Sequence, residues 1–140
     1  MAPESRCGDL WPGLPAHIVR AMSNPHELLD HDVVRELREM LGAGLDPVLA
    51  QFGQQATELV AQIQGLAMVG DTAAVRPLAH RLKGSAGSLG AKLLGAEAAQ
   101  LERFAVAGDT DAVLAKIESM SVVVQHTVQA LHDMRIPRGA

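Results

Sequence analysis

Val75-Arg76-Pro77-Leu78-Ala79-His80-Arg81-Leu82-Lys83-Gly84-Ser85-Ala86-Gly87-Ser88-Leu89-Gly90-Ala91 is the stretch from which the fold can be read. At about 100° per residue, Val75, Leu78, Ala79, Leu82, Ala86 and Leu89 gather on one helical face, and His80 lies opposite them. Spacings of three, four and seven put Lys83, Gly84 and Gly87 beside the histidine on the outer face. A glycine inside a helix costs about 1 kcal/mol relative to alanine, so two on an exposed face need a reason that the core does not supply. One reason is close approach by another molecule; the other is a helix that frays toward Gly90.

Working outward, Asp71 or Thr72 is placed to cap this helix, and Pro77, past its first turn, is expected to remove a backbone hydrogen bond and kink the axis. After Gly90 a further helix starts around Lys92, with Leu94, Ala98, Leu101 and Ala105 facing inward, and stops at Gly108. The last runs from about Thr110 to Met134 on Val113, Ile117, Met120, Val124, Val128 and Leu131. Upstream, Asp46 is expected to cap a long helix with Pro47 in its first turn, continuing through Val48, Leu49, Phe52, Ala56, Leu59, Val60, Ile63, Leu66 and Ala67 to Gly70. Before it, Val33, Val34, Leu37, Met40 and Leu41 form a shorter stripe from Asp32, stopped by Gly42 and Gly44. Gly-Asp-Thr at 70–72 and again at 108–110 reads as two uses of one stop-and-cap device.

Helices joined by such short links pack as antiparallel neighbours, which predicts an all-α fold: an up-down four-helix bundle with the short extra N-terminal helix covering one end. The expected division is a proline-rich arm over 1–30, the bundle over 31–135 and a tail over 136–140. Pro3, Pro12, Pro15 and Pro25 rule out a long element in the arm, but a short helix from Pro15 to Met22 fits, with Pro15 at its first position. Its Ile18 and Met22 would pack on the bundle, and Trp11 would cover an exposed end.

Composition agrees and excludes several function classes. The chain of 140 residues is 48% hydrophobic but only 2% aromatic, a core of aliphatic side chains that suits packed helices. A net charge of −4 gives no electrostatic footprint for nucleic acid, and the aromatic platforms that stack single-stranded bases are missing. Cys7 is the single cysteine, so no intramolecular bridge or Cys-x-x-Cys site exists. Glu4, Arg6, Asp9 and Pro12 interrupt any secretory signal, and no apolar run reaches membrane-spanning length; a soluble cytoplasmic protein is expected. His17, His26, His31, His126 and His132 read as solvated or structural. Their spacings, five between His26 and His31 and six between His126 and His132, do not stack two metal ligands on one helical face. No metal site is expected.

In a hairpin that turns near Ala91, residues equally far from the turn lie side by side, and His80 and Glu102 are both eleven positions from it. A carboxylate there would accept the proton of one ring nitrogen, fix the tautomer and leave the other nitrogen as a nucleophile. Lys83, one turn on, would meet an anion attached to that nitrogen, and Ser85 or Ser88 would add a hydrogen bond. The chain has no Gly-x-x-x-x-Gly-Lys loop or other nucleotide-binding glycine motif, so a phosphoryl group would have to arrive from a partner protein.

From His80 to Ala91, and in helix order over roughly Asp32 to Met134, the sequence resembles the histidine-containing phosphotransfer (HPt) domains of multistep two-component phosphorelays. The shared motif is His-x-x-Lys-Gly followed by a small residue and Leu-Gly. The resemblance implies that His80 accepts a phosphoryl group from a receiver-domain aspartate of a hybrid histidine kinase and passes it to the receiver of a response regulator. It implies that Lys83 is the electrostatic partner, and that Gly84 gives the receiver room to dock, with Gly87, Ser85, Arg81 and Ser88 around it. The position of Glu102 is commonly Gln or Glu in such domains. The chain would be a phosphocarrier and not an enzyme, monomeric and without a cofactor; magnesium would belong to the receiver. Pro77 and the proline-rich arm depart from the family pattern. Two alternatives are a helical module that binds a receiver or kinase without carrying phosphate, and the phosphoacceptor domain of a chemotaxis-type kinase, for whose catalytic domain no room is expected after Met134.

Overall fold

Three glycines mark where the long helices stop. Gly70, Gly90 and Gly108 have φ of 77°, 77° and 72°, the left-handed region that glycine enters without a side-chain penalty. The computed structural model describes residues 14–135, the last two by their backbone alone. Cys7, Trp11, the prolines at 3 and 12, and the tail 136–140 lie outside the described residues. The elements are α1 (Ala16–Ser23), α2 (Pro25–Leu28), α3 (His31–Leu41), one 3-10 turn (Gly42–Gly44), α4 (Leu45–Met68), α5 (Thr72–Ser88), α6 (Lys92–Val106) and α7 (Thr110–Arg135).

Each of the three stops uses the same pair of reversed hydrogen bonds. At the end of α4, Gly70 N–H donates to Ala67 O (3.0 Å) and Asp71 N–H to Leu66 O (2.9 Å). Two of the following residues then cap the next helix: Asp71 Oδ1 accepts from Ala74 N–H and Asp109 Oδ1 from Ala112 N–H, both at 3.1 Å. The repeated Gly-Asp-Thr is therefore a stop and a start folded into three residues.

α4 packs on α5, α5 on α6, α6 on α7 and α7 on α4, closing a ring around one aliphatic core. Val75, Ala79, Leu82 and Ala86 of α5 face Leu94, Leu101 and their neighbours, and all are buried. Burying a leucine such as Leu82 or Leu101 contributes about 1.5–3 kcal/mol. α5 and α6 run antiparallel at close range because Gly95 stands opposite Ala86; a Cβ there would lie 3.8 Å from the alanine's.

The N-terminal elements cover the end where α5 turns into α6. Asp30 N–H donates to Gly90 O at 2.8 Å, and an added Cβ on Gly90 would meet Asp30 O and a Val34 methyl at 3.0 Å. Ile18, Met22, Leu28 and Leu29 are buried in the main cluster, so the expected packing of Ile18 and Met22 is observed.

Three local expectations need correction. Pro15 caps α1 instead of opening it. Asp46 is not a cap: α4 begins at Leu45, buried to 1% exposure, straight from the 3-10 turn, and Gly44 precedes it with no side-chain cap bond. Burial of Leu45 draws the helix start back one residue, which leaves Asp46 in the first turn. Met40 and Leu41 are 76% and 40% exposed, because burial along α3 fades after Leu37 and Arg38. The helix expected to run through Pro77 does so: α5 is continuous over Thr72–Ser88 with the proline inside it.

Candidate functional site

The site is assembled from two helices by the register of one hairpin. His80 projects from the outer face of α5 with 67% of its side chain exposed. Its Nδ1 lies 3.0 Å from Glu102 Oε2 on α6. The carboxylate can only accept, so Nδ1 is assigned the proton and Nε2 keeps its lone pair. Helical side chains lean toward the N-terminus, which carries the imidazole over the turn holding Arg76 and Pro77.

Glu102 is the shared element. Its second oxygen, Oε1, accepts from Lys83 Nζ at 2.9 Å, so one carboxylate joins the histidine and the lysine. The Lys83 hydrogen bond, helped by that from His80 and opposed by partial burial, holds the Glu102 carboxyl below its ordinary value of 4.5. Lys83 is thus engaged with Glu102 and does not stand free over the ring.

The predicted docking residues divide between two surfaces. Gly84 and Gly87 lie inside unbroken helix and are exposed, and a Cβ on either would meet nothing within 4 Å. Fraying toward Gly90 is therefore not what places them; they leave a bare strip beside His80. Arg81 is exposed. Ser85 and Ser88, by contrast, line a groove between α4 and α5 with Val48, Gln51 and Phe52, and Ser88 Oγ donates to Gly84 O at 3.0 Å. Neither serine lines the depression at His80.

That depression is formed by Ala73, Arg76, Pro77, His80 and Glu102. Arg76 belongs to no motif in the sequence, and its one signal there is the spacing of four before the histidine. On the other side of α6 lies a buried cluster that no motif marks, where Lys116 Nζ donates to Glu97 Oε1 and Gln100 Oε1, both at 2.8 Å. Among the described residues, no group of three or more His, Cys, Asp or Glu side chains is placed to hold a metal ion. No helix there is long and apolar enough to cross a membrane.

The Hpt domain family model matches residues 47–134, from the first turn of α4 to the last of α7. No curated protein and no solved structure matches the chain. Hpt domains are phosphocarriers of two-component signalling and interact with the receiver domains of kinases and response regulators. With more than half of its length matched, and the matched helices being those that build the ring, the chain belongs to the Hpt domain family.

Proposed function

We propose that His80 is the phosphoryl-accepting residue, charged by the aspartyl phosphate of a hybrid-kinase receiver and discharged to the aspartate of a response-regulator receiver. The observation that carries this reading is an exposed histidine whose Nδ1 is held by Glu102 at 3.0 Å, which leaves Nε2 as the nucleophile. The Nε2 lone pair attacks phosphorus, the P–O bond to the receiver aspartate breaks, and the carboxylate leaves with the electron pair. The proton on Nδ1 stays in place. The ring becomes cationic, and the Glu102 carboxylate beside it stabilises that charge as it forms. Discharge is the same sequence reversed.

Lys83, held within one turn by Glu102, supplies positive charge to the phosphoryl group. The bare strip at Gly84 and Gly87 lets the receiver bring its aspartate to Nε2, with Arg81, Ser85 and Ser88 bordering the docked surface. Magnesium belongs to the receiver, and the carrier works in the cytoplasm as a monomer without autokinase activity.

The test is to incubate the chain with a phosphorylated hybrid-kinase receiver and follow label. Wild type should take up and pass on the phosphoryl group, and His80→Gln should take up none while keeping its helical circular dichroism. Label that persists in His80→Gln would place the phosphoryl group on another residue and overturn the role of His80, and label that fails to reach wild type from a panel of receivers would leave the chain a non-transferring helical module.

A further inference from the structure

The α5–α6 hairpin is electrically unlike the rest of the chain. Between Thr72 and Val106 it carries five cations, Arg76, Arg81, Lys83, Lys92 and Arg103, against two carboxylates, Glu97 and Glu102, within a chain of net charge −4. Both carboxylates are already paired, Glu97 with Lys116 and Glu102 with Lys83. Lys83 already gives one of its three donors to Glu102, the residue that orients the ring, so only part of its hydrogen bonding is left for a phosphoryl group on His80.

Arg76 has no such commitment. It is exposed, neither hairpin carboxylate bonds it, and it lines the depression into which His80 and Glu102 face. Residues four apart on a helix have Cβ atoms about 5–6 Å from one another, within the span of an arginine side chain. The imidazole leans toward that turn. Pro77 adds a feature to the same wall, since it has no N–H to return to the Ala73 carbonyl and so opens the backbone beside the arginine. A guanidinium presents a planar fork of donors that matches two phosphoryl oxygens, where an ammonium offers a point charge.

Building on the carrier reading of His80, we infer that Arg76 is a second phosphoryl-binding residue, whose guanidinium bonds two oxygens of the group on Nε2 while Lys83 stays with Glu102. The phosphorylated histidine is thus held from the N-terminal side of its helix as well as the C-terminal side. Arg81, equally exposed but rotated by about 100°, does not line the depression and serves as the matched control.

The experiment charges the chain with phosphoramidate, so that no receiver is needed: Nε2 attacks phosphorus, the N–P bond of the donor breaks, and ammonia leaves. The phosphoryl group is then titrated by phosphorus NMR in wild type, Arg76→Gln, Arg76→Lys and Arg81→Gln. In Arg76→Gln the second ionisation of the phosphoryl group should rise by about half a pH unit or more, because the dianion loses an adjacent cation. Arg76→Lys should fall between it and wild type, and Arg81→Gln should match wild type. An unchanged midpoint in Arg76→Gln, or an equal rise in Arg81→Gln, overturns the inference and leaves the carrier reading standing. Failure of wild type to become phosphorylated on His80 overturns both.

Discussion

α6 carries two carboxylates five residues apart, and each holds a lysine from a neighbouring helix, yet they do opposite things. Glu97 faces α7 and is 2% exposed; its partner Lys116 is 9% exposed and also bonds Gln100. Glu102 faces α5 with 17% of its side chain exposed, and its partners Lys83 and His80 are 40% and 67% exposed. The first cluster is dry, with the lysine spent on its two acceptors. The second is wet, and it leaves a ring nitrogen free. The same chemical parts become architecture where water is excluded and a reactive site where one member reaches solvent.

The comparison breaks first at the dry cluster. Lys116→Ala leaves Glu97 buried without its cation, a change that costs about 3–5 kcal/mol. Urea denaturation should show the midpoint falling with little change in slope, while the folded fraction still accepts phosphate on His80. Glu97→Leu combined with Lys116→Met should recover most of the loss, because apolar packing replaces the pair without stranding a charge. A single variant as stable as wild type would mean that water reaches Glu97 after all.

What could be read in advance follows the same division. The stripes of α4 to α7 repeat every three to four residues, and those of α4 to α6 end at glycines of positive φ, so their burial and the stops at Gly70, Gly90 and Gly108 were legible. Glu102 was found by counting equally from Ala91, and that register is what brings it to His80. The same count about Gly108 sets Lys116 opposite Gln100, but a lysine in a helix reads as a solvated cation until its burial is seen. The start of α4 was misread because Asp46-Pro47 has the residues of a cap, and only the packing of Leu45 decides otherwise. Lys83 is expected to meet an anion attached to the ring, whereas its partner in the structure is the Glu102 carboxylate, which the spacing from His80 alone does not disclose.

At the wet cluster, removal should cost chemistry and spare stability. Glu102→Ala deletes the acceptor of Nδ1–H, and the rate of phosphorylation from a receiver should fall about tenfold, the difference made by one hydrogen bond to a charged group. Glu102→Gln should retain most of the rate, because its amide oxygen still accepts from Nδ1. Neither variant should move the urea midpoint appreciably, since water replaces the lost partner at this depth. A midpoint that drops as far as that of Lys116→Ala would make the two clusters equivalent and erase the distinction.

The smallest effect is the acid titration of Glu102, and its sign is fixed by its partners. Lys83 chiefly, with His80, holds the carboxyl below 4.5, so the charged form is favoured in the folded chain more than in the unfolded one. The stabilisation this gives is fully present above the ordinary carboxyl value and is lost as pH falls through the lowered folded value. Carbon NMR of the Glu102 carboxyl should therefore show a midpoint below 4.5, moving upward in Lys83→Met, where partial burial persists without the lysine that opposed it. High salt should shift it less than that substitution does, because a direct hydrogen bond at 2.9 Å is screened less than a distant charge. A wild-type midpoint at or above 4.5 would show that burial outweighs Lys83, and Glu102 would then belong with Glu97 on the structural side of the comparison.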